Sequence, residues 1–276
     1  MNYIEVGSES PVLLLHGNPT SSHLWRHVLE YAAERDQGHR WIAPDLIGMG
    51  RSGKPDIGYR LADHVAYLDA FVNTLGLSTL ILVGHDWGVA LALDFLRRRP
   101  ADVAAVAFME GHVRPLTGWD EFDGGGRELF QRLRTPGLGE QMVLTDNFFI
   151  DTLLPAALTR PLSEADLAVY RSPYLDQESR RPLLQWAREI PISGDPHDVA
   201  TRMQVAAATM EATDLPNLLV HGTPGVLIAA ETVDAYRSST RNLSVASIGG
   251  HTGHFLPEDA PAEVSAALID WVKLAG

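Results

Sequence analysis

The segment Leu80-Ile81-Leu82-Val83-Gly84-His85-Asp86-Trp87-Gly88-Val89-Ala90 carries the strongest chemical signal in the chain. A run that is apolar throughout enters Gly-x-Asp-x-Gly, and a helical pattern follows. This is the strand–turn–helix elbow that presents a nucleophile, with Asp where Ser is usual. The flanking glycines permit a turn so tight that the central residue takes strained dihedrals. The carboxylate then stands near a helix N-terminus, which favours its ionised form. Residue type decides the chemistry. A carboxylate attacking an ester or amide carbonyl forms an anhydride, a poor intermediate. Attacking a tetrahedral carbon that bears a good leaving group, it forms an alkyl ester. Asp86 therefore points to displacement at carbon, on halides or epoxides. The plainer reading is an Asp that caps the following helix; the wholly apolar strand in front argues against it.

Such a nucleophile needs partners. Leu13-Leu14-Leu15 runs into His16-Gly17-Asn18-Pro19-Thr20-Ser21-Ser22. In proteins with this elbow, one oxyanion-hole amide follows an early strand and the other belongs to the residue after the nucleophile. Here these are the backbone N–H groups of Asn18 and Trp87, placed to stabilise the oxyanion as water attacks the Asp86 ester. Their side chains add an amide and an indole N–H, neutral donors suited to a large, weakly hydrated anion such as chloride or bromide. Each alone reads as a loop Asn and a packed Trp; together beside the elbow they read as a halide site. The water-activating base should follow the last strand, where Gly249-Gly250-His251-Thr252-Gly253-His254-Phe255-Leu256-Pro257-Glu258-Asp259 offers two histidines. His254 is the choice, because His-Phe followed by Glu-Asp and a helix is the usual setting of this base; it must be neutral to accept a proton. His251 is the alternative, otherwise a loop residue. His16, His85 and His221 adjoin strand ends and read as packing or supporting groups. The acid that orients the base often follows the next-to-last strand, but Leu218-Leu219-Val220-His221-Gly222-Thr223-Pro224-Gly225 has no carboxylate before Glu231. Glu110, ending the apolar run Ala107-Phe108-Met109, takes the role instead.

These residues must be held by a scaffold, and the apolar pattern describes one. Short strands are expected at Tyr3–Val6, Val12–Leu15, Trp41–Ala43, Leu80–Val83, Val103–Met109, Leu218–Val220 and Leu243–Ile248. The Leu80–Val83 run suits a strand buried on both faces of a parallel sheet. Leu61, Val65, Leu68, Val72 and Leu75 recur at helical spacing. A further helix should run from just after Asp86 to about Arg99, where Pro100 stops it, and a last one from Ala262 to Leu274. From about Val113 to His197 the rhythm changes: prolines and Gly124-Gly125-Gly126 punctuate short helical pieces rich in aromatic residues, with no strand evident. The simplest architecture is an α/β sheet with a helical insertion before its last strands.

Taken together, the motifs resemble the haloalkane dehalogenases of the α/β-hydrolase superfamily. The matching segments span nearly the whole chain: His16–Ser22 with Leu24-Trp25-Arg26, Asp45-Leu46-Ile47-Gly48-Met49-Gly50-Arg51-Ser52, Gly84–Gly88, Met109-Glu110, Arg160-Pro161-Leu162-Ser163, Glu189-Ile190-Pro191-Ile192 and His254-Phe255. The chain looks most like the subgroup whose acid is a Glu after the sixth strand and whose halide donors are Asn and Trp. That implies Asp86 as nucleophile, His254 as base, Glu110 as acid, and Asn18 and Trp87 as halide donors. It also implies an α/β-hydrolase fold, with a mostly parallel central sheet flanked by helices. Residues 1–112 and 198–276 would be the core and 113–197 a helical cap, inserted after the sixth strand of the family's fold and lining a tunnel to an apolar pocket. The family's outer strand is expected to be absent, because the chain starts close to the first recognisable strand, and an uncovered edge could pair with another chain. The Gly-His-Thr-Gly-His loop reads as slightly lengthened.

The implied reaction is hydrolytic dehalogenation of a small halogenated hydrocarbon by water, giving alcohol, halide and a proton. It needs no metal or organic cofactor, and the halide product could rest in the site. An epoxide hydrolase shares the Asp elbow and would use cap phenols, for which Tyr170 and Tyr174 are available; Asn18 stands where those enzymes generally carry an aromatic residue. A luciferin mono-oxygenase related to the same subgroup keeps the same catalytic residues, and a non-catalytic hormone-binding hydrolase fold would not need them all. Composition narrows the partners. A formal charge of −13 repels phosphate, which argues against nucleic acid and anionic membrane. The absence of cysteine excludes disulfides, thiol catalysis and Cys-held metal. No apolar run approaches the roughly 18 residues of a membrane span, and no signal peptide is visible. A cytoplasmic protein, monomer or homo-oligomer, is expected.

Overall fold

The computed structural model describes residues 1–275, and their strands form one seven-stranded sheet. The strands are β1 (Tyr3–Val6), β2 (Ser10–Leu15), β3 (His39–Pro44), β4 (Leu80–His85), β5 (Val103–Met109), β6 (Asn217–Pro224) and β7 (Leu243–Thr252), in the order β1-β3-β2-β4-β5-β6-β7. β1 runs antiparallel on β3 and forms one edge; the other pairings are parallel. The chain steps from β2 to β3 on one side and returns to place β4 on the other. This reversal opens a crevice at the C-terminal ends of β2 and β4, where parallel sheets bind ligands. Asn18 follows β2 and Asp86 follows β4, so the topology alone brings them together.

Side chains alternate across the central strands, as a period of two requires. Leu13, Leu15, Leu80, Leu82, Val106 and Phe108 face one core, with α2 (Leu61–Thr74) and α3 (Trp87–Arg98). Val12, Leu14, Ile81, Val83, Ala105 and Ala107 face the other, with α1 (Arg26–Arg35) and the C-terminal helix Pro261–Ala275. Covered on both faces, β4 can be apolar from Leu80 to Val83. Each fully buried Leu or Val there contributes about 1.5–3 kcal/mol of transfer free energy.

Between β5 and β6 the chain forms the helices Gly124–Arg134, Glu164–Arg171, Arg181–Glu189 and His197–Ala212, with π-helical turns at Gln141–Thr145 and Phe149–Leu153. No strand forms there among the described residues; single bridges join Leu116 to Ile192 and Ile192 to Asp195. One local expectation is corrected. Gly249–Thr252 is strand rather than loop, because β6 also extends past Val220 and, after an irregularity at Gly222, Pro224 lies opposite Thr252. Backbone pairing here overrides a glycine-rich sequence of poor strand propensity.

Candidate active site

Asp86 ends up where the Gly-x-Asp-x-Gly pattern requires, in a left-handed conformation with φ 52° and ψ −124°. Two close approaches explain the glycines. A Cβ on Gly84 would lie 2.7 Å from the carbonyl carbon and oxygen of Gly88, and one on Gly88 would lie 2.0 Å from the Leu15 carbonyl oxygen. The Asp86 side chain makes no helix-capping hydrogen bond. Instead the Asn18 N–H donates to its Oδ2 at 2.7 Å, and the Trp87 N–H also helps to hold its charge. Gly17 allows this approach, since a Cβ there would stand 2.4 Å from Asp86 Oδ2. Burial pushes the Asp86 carboxyl above the ordinary aspartate range, against the pull of His254 and of the two amides. The expected benefit of the helix N-terminus is thus present but outweighed.

The loop that carries Asn18 is braced by a histidine read only as a supporting group. Buried His16 donates from Nδ1 to the Gly17 carbonyl at 2.8 Å, and its Nε2 accepts the Leu46 N–H at 3.0 Å. Asp45, which opens that second loop, accepts the N–H groups of Ser22 and Arg51 at 2.8 and 2.9 Å. The Asp45–Ser52 motif therefore ties the segment after β3 to the segment after β2. The Asn18 side chain is oriented from above: Nδ2 donates one hydrogen to the Leu183 carbonyl at 3.2 Å, leaving the second free. The Trp87 ring stacks on Trp186 at 4.5 Å, and Trp186 stacks on His64 at 4.1 Å.

Glu110 is 1% exposed and, like Asp86, left-handed, with φ 41°. Its carboxylate accepts the N–H groups of Val226, Leu227 and Ile228, the shortest at 2.9 Å from Leu227. The segment after β6 that lacks an acid thus receives one from the residue that follows β5. Gly225 makes room, with φ 72° and a would-be Cβ 2.9 Å from Glu110 Oε1. His254 Nδ1 lies 3.5 Å from Glu110 Oε2, long for a hydrogen bond, as catalytic bonds without substrate often are. Burial drives the His254 pKa down, but the facing Glu110 carboxylate and the charge of Asp86 outweigh it, and the net shift is upward. His85 Nε2 donates to the His254 carbonyl at 2.8 Å. The Glu258-Asp259 pair holds the same loop: Glu258 takes Arg26 at 2.6 and 2.8 Å and the Tyr170 hydroxyl at 2.5 Å, while Asp259 accepts the Gly253 N–H at 2.8 Å. His251 is exposed on β7 and is not part of the lining of the cavity that His254 faces. His221 is buried near the end of β6.

Asn18, Asp86, Trp87 and His254 line one cavity of about 230 Å³, whose remaining wall is mostly apolar: Leu129, Phe130, Phe149, Leu153, Ile190, Leu227 and Phe255 among them. It is small for a ligand site. Neither Tyr170 nor Tyr174 belongs to its lining; both hydroxyls are buried, the first on Glu258 and the second without a partner among the described residues. One polar wall residue went unseen in the sequence. His112, two positions past Glu110, carries no motif, and only its closeness to the strand end hints at the site.

The alpha/beta hydrolase fold family model matches residues 10–159. A haloalkane dehalogenase of Mesorhizobium japonicum is 43% identical over 99% of this chain and 87% of its own length. Another, of Sphingobium indicum, is 40% identical over 99% and 92%. Among solved structures, the haloalkane dehalogenase DbeA from Bradyrhizobium elkani superposes with a TM-score of 0.95 at 42% identity, covering 99% of this chain and 94% of its own. DatA from Agrobacterium tumefaciens gives 0.92 at 34%, covering 99% and 92%.

Proposed function

The chain belongs to the haloalkane dehalogenases of the α/β-hydrolase fold family and is a hydrolase of carbon–halogen bonds, and from that premise we propose the mechanism and the residues that carry it. One observation supports the reading above the rest: a strained Asp86 faces an apolar cavity with one carboxylate oxygen already held by the Asn18 amide. Oδ2 is thereby occupied and Oδ1 is free to attack. The halogen-bearing carbon is displaced in line, forming an ester to Oδ1, while halide leaves toward the Trp87 indole N–H and the second Asn18 amide hydrogen. Raised by burial, the Asp86 carboxylate is a better nucleophile than one in water.

Hydrolysis follows at the ester carbonyl. Water adds to Cγ as His254 takes its proton, and negative charge builds on Oδ2, where the Asn18 and Trp87 amides stand. Collapse expels the alkoxide, which recovers a proton from His254. Alcohol, halide and one proton leave, and the balance requires only water. Esterification also prepares the base: it removes the Asp86 charge, one of the causes that keep the His254 pKa high, so His254 becomes free to accept a proton when it must. The segment 113–197 acts as the cap, and 1–112 with 198–276 as the core. An epoxide hydrolase would need phenols facing the cavity, and the two tyrosines of the cap are turned elsewhere.

The test is a single turnover of 1-bromobutane in heavy-oxygen water. Bromide and acid should appear, the alcohol should carry unlabelled oxygen, and the label should enter Asp86. In His254→Phe the butyl ester should persist as added mass on the enzyme. Label appearing directly in the alcohol would overturn the mechanism.

A further inference from the structure

His112 is the cavity's unassigned polar group. It lines the main cavity and also a water-sized recess of about 10 Å³ beside Asp86 and Trp87. Its position is fixed from behind. Gly111 packs so tightly on the elbow that a Cβ there would lie 2.6 Å from the Asp86 carbonyl oxygen, and the His112 side chain that follows shares a wall with Asp86 and Trp87. No protein group among the described residues hydrogen-bonds to the ring. Burial, reinforced by the His254 charge, lowers its pKa to about 4, and a neutral imidazole presents one N–H and one lone pair. An unpaired polar group in an apolar wall is costly when substrate strips it of water, unless the substrate replaces those bonds.

We propose that His112 is a specificity-determining residue that hydrogen-bonds a hydroxyl near the reacting carbon, so that this enzyme favours halogenated alcohols over haloalkanes of the same size. The proposal rests on the dehalogenase reading. A hydroxyl both donates and accepts, and the ring offers one partner for each. A methyl in the same place leaves both ring nitrogens unsatisfied, and sites with such buried polar groups discriminate strongly against the analogue that cannot pair them.

The matched pair is 3-bromo-1-propanol and 1-bromobutane, which differ by hydroxyl for methyl. The ratio of their kcat/KM values should fall about 10-fold in His112→Leu, chiefly through a higher KM for the alcohol, while His112→Gln, with a donor and an acceptor, keeps most of it. The unaltered enzyme provides a test that needs no variant: 1,3-propanediol should inhibit 1-bromobutane turnover more tightly than 1-butanol, although apolar burial alone favours 1-butanol. A ratio unmoved by His112→Leu, or equal inhibition by the two alcohols, overturns the proposal. So does accumulation of alkyl-enzyme in His112→Leu, which would make the ring a base. If both bromides are turned over with that ratio unmoved, only the His112 assignment fails; if neither releases bromide, the dehalogenase reading fails with it.

Discussion

Glu110 works across a strand boundary: the side chain leaves β5, and the three amides that hold it come from the turn after β6. Replacing it by Gln keeps the shape but sets an NH2 group against those amide donors and removes a negative charge beside His254. Glu110 is one of the causes that raise the His254 pKa, so its loss lowers that pKa. Because hydrolysis needs neutral His254, the acid limb of kcat lies at the pKa of this group and activity falls as pH drops through it. In Glu110→Gln the limb should therefore move to lower pH, while the plateau kcat falls on the order of 10²-fold through a weaker, poorly oriented base. A pH profile of bromide release from 1-bromobutane checks both, and a limb that stays in place would show that Glu110 does not set the His254 pKa. The sequence pointed to Glu110 through a gap, the missing acid at Gly222–Gly225. It could not show why the gap is tolerated, since backbone N–H groups are the same in every residue type. His112 stayed hidden for a related reason: one histidine near a strand end looks like any other until a cavity opens before it.

The elements were the most legible level, because burial on both faces writes itself into β2, β4 and β5 as uninterrupted apolar runs. Strand ends were less so. β6 and β7 run on to Pro224 and Thr252 by pairing with each other, a gain that no local propensity records. The elbow is the element on which the chemistry depends, and its tolerance can be tested at Gly84. An added methyl would stand 2.7 Å from the Gly88 carbonyl and from Val89 Cα. These are backbone atoms of α3 and cannot rotate aside, so the helix must move. Gly84→Ala should cost about 1–3 kcal/mol of stability by overpacking, and kcat should fall about 100-fold as Asp86 leaves its in-line position. Urea unfolding and single-turnover ester formation measure the two effects. Retention of normal alkylation in a destabilised variant would show that the elbow absorbs the shift without displacing the nucleophile.

At the scale of the molecule, the cavity exists only while the helices above the sheet stay seated, and buried Glu189 is one of the carboxylates that fasten them. Glu189, 1% exposed, ends the helix Arg181–Glu189 and reaches down to the start of α2. It accepts Arg60 Nε at 2.9 Å and the Leu61 N–H at 2.8 Å. In the sequence it appears only as part of the Glu189-Ile190-Pro191-Ile192 segment, with nothing to mark it as a fastening. Glu140 offers a control within the same helical region: it pairs with Arg188 at 2.7 Å, but the two side chains are 41% and 28% exposed. Distance alone ranks the two pairs as equals; solvent decides otherwise. Glu189→Ala strands a buried N–H in the first turn of α2, which costs about 2 kcal/mol. Arg60 limits the damage, being 43% exposed and still bonded to Asp198. Glu140→Ala should cost well under about 1 kcal/mol, because exposed pairs are screened and entropically expensive. With about 2–4 °C of Tm per kcal/mol in a domain of this size, thermal unfolding should fall by about 5 °C for Glu189→Ala and by about 1 °C or less for Glu140→Ala. Ala187 and Ile190, on either side of Glu189, line the cavity, so KM for 1-bromobutane should rise in the first variant alone. Equal Tm losses in the two variants would mean that burial does not set the worth of these ion pairs.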